Sequence, residues 1–67
     1  MKYQEILNYG SRILKLNNIK SYNLDSELLL SSTLKIDRSK ILLNLDKEIK
    51  IREKSFFLNL IKRRKKK

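Results

Sequence analysis

The sequence predicts an all-α protein, a compact bundle of four or five helices. Three observations lead there. The 67 residues include no proline and one glycine, so little interrupts a helix. Apolar residues recur at spacings of three and four, the period of an amphipathic helix. Strict alternation of apolar and polar residues, which would mark a half-buried strand, is nearly absent. A chain of this length makes one domain at most. Such a domain buries only about 60% of its unfolded surface, so modest stability is expected.

The first helix is expected over YQEILNYGSRIL. Tyr3, Ile6, Leu7, Gly10, Ile13 and Leu14 fall on one arc of roughly 120°, with Gln4, Asn8, Ser11 and Lys15 opposite. Gly10 lies in the middle of that arc, where it weakens a helix by about 1 kcal/mol relative to alanine. Close approach of another helix would account for it. LNNIKSYN then breaks the period with the turn-favouring Asn17, Asn18, Ser21 and Asn23.

The second helix is expected over LDSELLLSSTL. Leu24, Leu28, Leu29, Leu30 and Leu34 spread around most of its circumference, which predicts a central helix buried by neighbours on several sides. Asp37 reads as the N-cap of a short third helix, RSKILLN, ending near Asn44. Its apolar residues are bunched at Ile41, Leu42 and Leu43, with Leu45 just beyond. The last helix is expected from about Ile51, with a main stripe of Phe56, Phe57, Leu60 and Ile61 and with Ile51 and Leu58 on a flank.

Catalytic chemistry has little to work with. No histidine or cysteine is present, which removes the commonest general base, thiolate metal sites and Ser-His or Cys-His triads. Asp25 and Glu27 are two residues apart and point to different helix faces, so they read as charges at the positive end of a helix dipole rather than as a clamp. Asp46 and Glu48 share that spacing and that reading. Ser31, Ser32 and Thr33 have no base to activate them, and one glycine cannot make a phosphate loop. The chain by itself is expected to bind no metal or cofactor and to catalyse nothing. Its longest apolar runs, such as Leu28-Leu29-Leu30, are three residues against the roughly 20 that span a membrane. The N-terminus has no secretory h-region. A cytoplasmic, monomeric protein is expected.

The net charge is +10, and more than half of it lies in Lys62 to Lys67. Such a basic balance is the electrostatic footprint of nucleic-acid binders. However, Arg12, Lys15, Lys20, Lys35 and Lys40 are scattered, and Tyr3, Phe56 and Phe57 are assigned to apolar helix faces. Only Tyr9 and Tyr22 are expected to be partly exposed. A free-standing basic module for RNA or DNA is therefore the alternative reading. A third treats residues 51–67 as an amphipathic helix for an anionic membrane or a partner groove.

Taken in order, four pieces resemble the N-terminal helical domain of the HemK/PrmC proteins, peptide chain release factor glutamine methyltransferases. YQEILNYGSRIL is similar to the family's first helix. LDSELLL resembles its acidic-small-Glu-Leu-Leu signature in Asp25, Ser26, Glu27, Leu28 and Leu29, with serine at 26 where alanine is usual. IDRSKILLN resembles its Arg-x-x-Leu segment, and Arg63 and Arg64 match an arginine pair that closes the fourth helix. The resemblance implies a helical substrate-recognition domain over 1–61. It implies that 62–67 are a basic helix end and the start of a linker, which in the family passes through Glu-Pro into a catalytic domain. That domain uses S-adenosylmethionine to methylate the glutamine of the Gly-Gly-Gln motif of class I release factors. This piece would help to hold the release factor and would touch its own catalytic domain, with no specific nucleic acid and no membrane. Lys62, Arg63 and Arg64 are the candidate partner or linker contacts, acting as generic positive charge.

Overall fold

In the computed structural model, which describes residues 1–65, the chain forms four helices: α1 (Tyr3–Leu16), α2 (Tyr22–Leu34), α3 (Arg38–Leu43) and α4 (Ile51–Lys65). α1, α2 and α4 pack against one another, and α3 packs on α2. The all-α bundle is the predicted class.

The helix ends are closed by identifiable groups. At the start of α1, the Tyr3 and Gln4 N–H groups donate to the carbonyls of Lys47 and Leu45 at 2.9 and 3.0 Å. These are backbone donors that a helix cannot satisfy internally. Residues 45–49 thus lie alongside the N-terminus, with an isolated antiparallel bridge between Lys2 and Glu48 and an Ile49 N–H to Met1 carbonyl bond of 2.9 Å. The Met1 ammonium donates to Glu48 Oε2 at 2.9 Å. That hydrogen bond, together with the ammonium charge, holds the Glu48 carboxyl below its ordinary value. At the other end of α1, Asn18 takes a left-handed φ of 63°. The Asn18 N–H reaches the Lys15 carbonyl and the Ile19 N–H the Leu14 carbonyl, at 3.1 and 3.0 Å. This is a Schellman cap, and it buries Ile19 beside Leu14. Asp37 is the N-cap residue of α3, as expected, although its side chain makes no cap hydrogen bond. At α4 the Lys50 N–H donates to Glu53 Oε1 at 3.1 Å.

The three long helices meet at Gly10. A Cβ placed there would stand 2.8 Å from Phe57 Cζ, 2.9 Å from Ser26 Oγ and 3.0 Å from Ile61 Cδ1. The close approach expected from the sequence is therefore a three-helix junction. Ser26 is buried, and its hydroxyl donates to the Leu7 carbonyl at 2.9 Å, joining α2 to α1. Around this point lie Ile6, Leu14, Leu30, Ile41, Phe57 and Ile61, all essentially inaccessible.

Two expected faces are corrected. α2 is the central helix, in contact with each of the others, but it is not apolar and buried nearly all round. Ser26 and Leu30 are buried and Leu29 and Leu34 partly so, whereas Leu24 and Leu28 remain 43% and 47% exposed. The sector of α2 that carries Leu24, Leu28 and Ser32 is left open, and α3, at six residues, is too short to cover it. On α4 the buried residues are Phe57 and Ile61, flanked by Leu58. Phe56 is 54% exposed and Ile51 is open to solvent. Adjacent residues differ by about 100° around a helix, so the junction at Gly10 admits Phe57 and turns Phe56 outward. On α3 only Ile41 is buried, with Leu42 and Leu43 exposed.

Two stability tests follow from this packing. Leu30→Ala should lose about 2–5 kcal/mol, the range for buried leucines, and Leu28→Ala well under half of that; equal losses in denaturant melts would contradict the exposed setting of Leu28. Gly10→Ala should lower the melting temperature, because overpacking of about 1–3 kcal/mol outweighs a helix-propensity gain of about 1 kcal/mol. Adding Ser26→Ala should recover part of the loss, a coupling that a double-mutant cycle would read. A rise in melting temperature for Gly10→Ala alone would refute the junction.

Candidate functional site

The cationic end of α4 is helical through Lys65; residues 66 and 67, the last of the expected helix end and linker start, lie outside the described residues. Its members differ in what they touch. Arg64 donates from Nε to Asp25 Oδ2 at 3.0 Å, and its Nη2 lies 2.9 Å from the same oxygen. The Ser21 hydroxyl donates to that oxygen as well, at 3.0 Å. Lys62 and Arg63 are exposed and join no ion pair among the described residues. Arg64 is therefore not generic charge: it fastens the last turn of α4 to the first turn of α2.

Glu27 holds a different helix. Its Oε1 accepts from Arg38 Nε at 3.1 Å and Nη2 at 2.8 Å, tying the start of α3 to α2. The spacing of two that separates Asp25 from Glu27 as a clamp is what lets each face its own arginine. Reading them as dipole charges missed these pairs. No local spacing could have shown them, because Asp25 and Arg64 are 39 positions apart.

Among the described residues, one pair of clefts measures about 180 Å³ each, below the roughly 300 Å³ at which small-molecule sites begin. One lies between α1, α2 and α3 and is lined by polar side chains, among them Gln4, Asn8, Asn23 and Glu27, with Leu42 and Leu45. The other lies between α1 and α4, lined by Tyr9, Ile13, Leu58, Ile61, Lys62 and Lys65. A wider, shallow hollow of about 490 Å³ lies over Asn18, Ile19, Lys20, Ser21 and Arg64 and is open surface rather than an enclosure.

Tyr9 is exposed, and Tyr22 is half-buried with Lys15 Nζ 5.6 Å from its ring centre, as their partial exposure was expected to be. Burial, with the nearby Glu53 charge adding to it, raises the Tyr3 hydroxyl and keeps it protonated. Among the described residues no group of three or more metal-ligating side chains converges, and no helix is long and apolar enough to cross a membrane. What the arrangement offers is surface: exposed apolar side chains on α2, α3 and α4, and cations that the fold does not use.

Because the Arg64–Asp25 pair is partly solvated on the arginine side, it is worth about 0.5–1 kcal/mol. Arg64→Gln should lose about that much and loosen amide protection in the last turn of α4, whereas Arg63→Gln should change neither. Identical exchange profiles for the two variants would show that the pair does not fasten the helix.

The family model of the PrmC N-terminal domain matches residues 5–67. The release factor glutamine methyltransferase of Clostridium botulinum is 43% identical over 67 residues, covering all of this chain and 24% of that protein. The chain thus spans about a quarter of the length of the curated relative it matches. No solved structure matches it.

Proposed function

The chain belongs to the PrmC N-terminal domain family, and from that premise we propose that it is the substrate-holding domain of a release factor glutamine methyltransferase. In this reading it works in the cytoplasm as a monomer and carries no catalysis itself. It helps to hold a class I release factor while a catalytic domain of the same protein transfers a methyl group from S-adenosylmethionine to the glutamine of the Gly-Gly-Gln motif. In this reading the cofactor belongs to the catalytic domain, and the small volume of the two narrow clefts here, about 180 Å³ each, supports that division.

The match of the PrmC N-terminal domain model over residues 5–67 carries the reading. The surface agrees with it: large apolar side chains, among them Tyr9, Leu42, Leu43 and Phe56, stand exposed on a chain whose two narrow clefts are below small-molecule size. Scattered single exposures are ordinary on any protein surface, but several on adjoining helices of so small a domain fit a macromolecular partner. The ion pairs Asp25–Arg64 and Glu27–Arg38 make the bundle a preformed platform, which reduces the ordering cost of binding.

Titrating the isotope-labelled chain with a purified class I release factor should broaden or shift a contiguous set of backbone resonances, while S-adenosylmethionine should give no heat in calorimetry with the chain alone. A release factor that perturbs nothing at about millimolar concentration, a free energy of only about −4 kcal/mol, would end the proposal.

A further inference from the structure

Lys62 and Lys65 stand one turn apart on α4, above the groove between α1 and α4. Its floor is Ile61, fully buried, with Ile13 and Leu58 partly buried beside it. Its far wall is Tyr9, 46% exposed. Arg12, three residues beyond Tyr9, neighbours it on α1. No carboxylate lines this groove, and none of Arg12, Lys62 and Lys65 joins an ion pair among the described residues. Arg38 and Arg64, by contrast, each have a carboxylate of their own. Like charges one turn apart repel by a few tenths of a kcal/mol, and nothing described in the chain offsets that here.

We infer that the groove between α1 and α4 is a docking site for an acidic segment of a protein partner. One large apolar side chain of that segment seats on Ile13, Leu58 and Ile61 against Tyr9, and its carboxylates meet Lys62, Lys65 and Arg12. The volume, about 180 Å³, is too small for a drug-sized ligand and suits a single inserted side chain. A rigid tyrosine beside an apolar floor is a common anchor of protein interfaces. Charge-assisted hydrogen bonds from lysine and arginine supply the complement to carboxylates. A nucleic acid would use the cations but would bring no side chain for the floor. An anionic membrane would need a broad apolar face, and the outward residues of α4 include Arg52, Asn59 and Arg63. The apolar surface of α2 and α3 is not chosen because the carboxylates Asp25, Glu27 and Asp37 stand among its cations, whereas no carboxylate lines the groove between α1 and α4. The inference rests on the reading of this domain as a release-factor holder and assigns the acidic segment to that substrate.

The test uses the isotope-labelled 67-residue chain, a purified class I release factor, and Lys62→Gln/Lys65→Gln beside Leu24→Ser/Leu28→Ser. The largest shifts should fall on Tyr9, Ile13, Leu58 and Lys65. The lysine variant should associate about tenfold more slowly at low salt and depend less on salt than the unaltered chain. Its melting temperature should be unchanged, and the leucine variant should bind normally. Binding that survives the lysine changes, with shifts centred on Leu24, Leu28 and Leu42, overturns the groove and leaves the domain's proposed role intact. No binding by the unaltered chain overturns both. Shifts of the same resonances that are as strong with a short single-stranded RNA or with phosphatidylserine vesicles overturn the choice of an acidic protein segment.

Discussion

The space left by the absent side chain at Gly10 is the constraint on which the rest of this bundle depends. Phe57, Ser26 and Ile61 come from two other helices; a Cβ at Gly10 would meet Phe57 and Ser26 closer than side chains come and Ile61 at a tight 3.0 Å. A helix tolerates glycine in mid-length at a cost of about 1 kcal/mol, and here that cost is offset by bringing α2 and α4 onto the same point of α1. Once they are there, the Ser26 hydroxyl reaches the Leu7 carbonyl and the end of α4 passes close enough to α2 for Arg64 to find Asp25. The long-range pairs are consequences of the junction. They lock a geometry that the packing of Phe57 and Ile61 has already selected.

What could be read from the sequence follows the distinction between local and distant causes. The face of α1 was legible because six apolar or small residues share one arc and polar residues hold the other. The start of α3 after Asp37 and the start of α4 at Ile51 were legible from local chemistry. The burial of α2 was not, because leucines spread around a helix carry no directional signal: which of them is covered depends on how many neighbours exist and where they lie. The choice of Phe57 over Phe56 was equally hidden, since both precede a residue of the same stripe by four and only the junction discriminates. The course of residues 45–49, a turn and one bridge beside the N-terminus, escaped as well. It is held by backbone bonds that Tyr3 and Gln4 donate and Met1 accepts rather than by any pattern in its own side chains.

The candidate site divides in the same way. Lys62, Arg63 and Arg64 are adjacent in the sequence, and adjacency on a helix means divergence by about 100° per residue. Arg64 turns inward to Asp25, Lys62 stands over the α1–α4 groove, and Arg63 faces solvent. The acidic signature at Asp25 and Glu27 and the arginines at 38 and 64 carried the resemblance to a family, but only as positions along a line. Their physical content is a pair of cross-links, one closing α3 onto α2 and one closing α4 onto α2.

That content also separates two kinds of exposed surface on a domain this small. With so little chain to fold, much apolar surface must stay outside, so the exposure of Leu24, Leu28 and Phe56 is partly a matter of scale and does not by itself name a partner. Charge behaves differently. Seventeen cations against seven carboxylates leave most lysines unpaired wherever they stand, so what marks the groove is that Lys62 and Lys65 flank an apolar floor along which no carboxylate lies. Where the fold neutralises Arg38 and Arg64 but leaves Lys62 and Lys65 beside an apolar floor, the imbalance is local and directional. An imbalance of that kind, unlike an exposed leucine, specifies the sign of what should meet it.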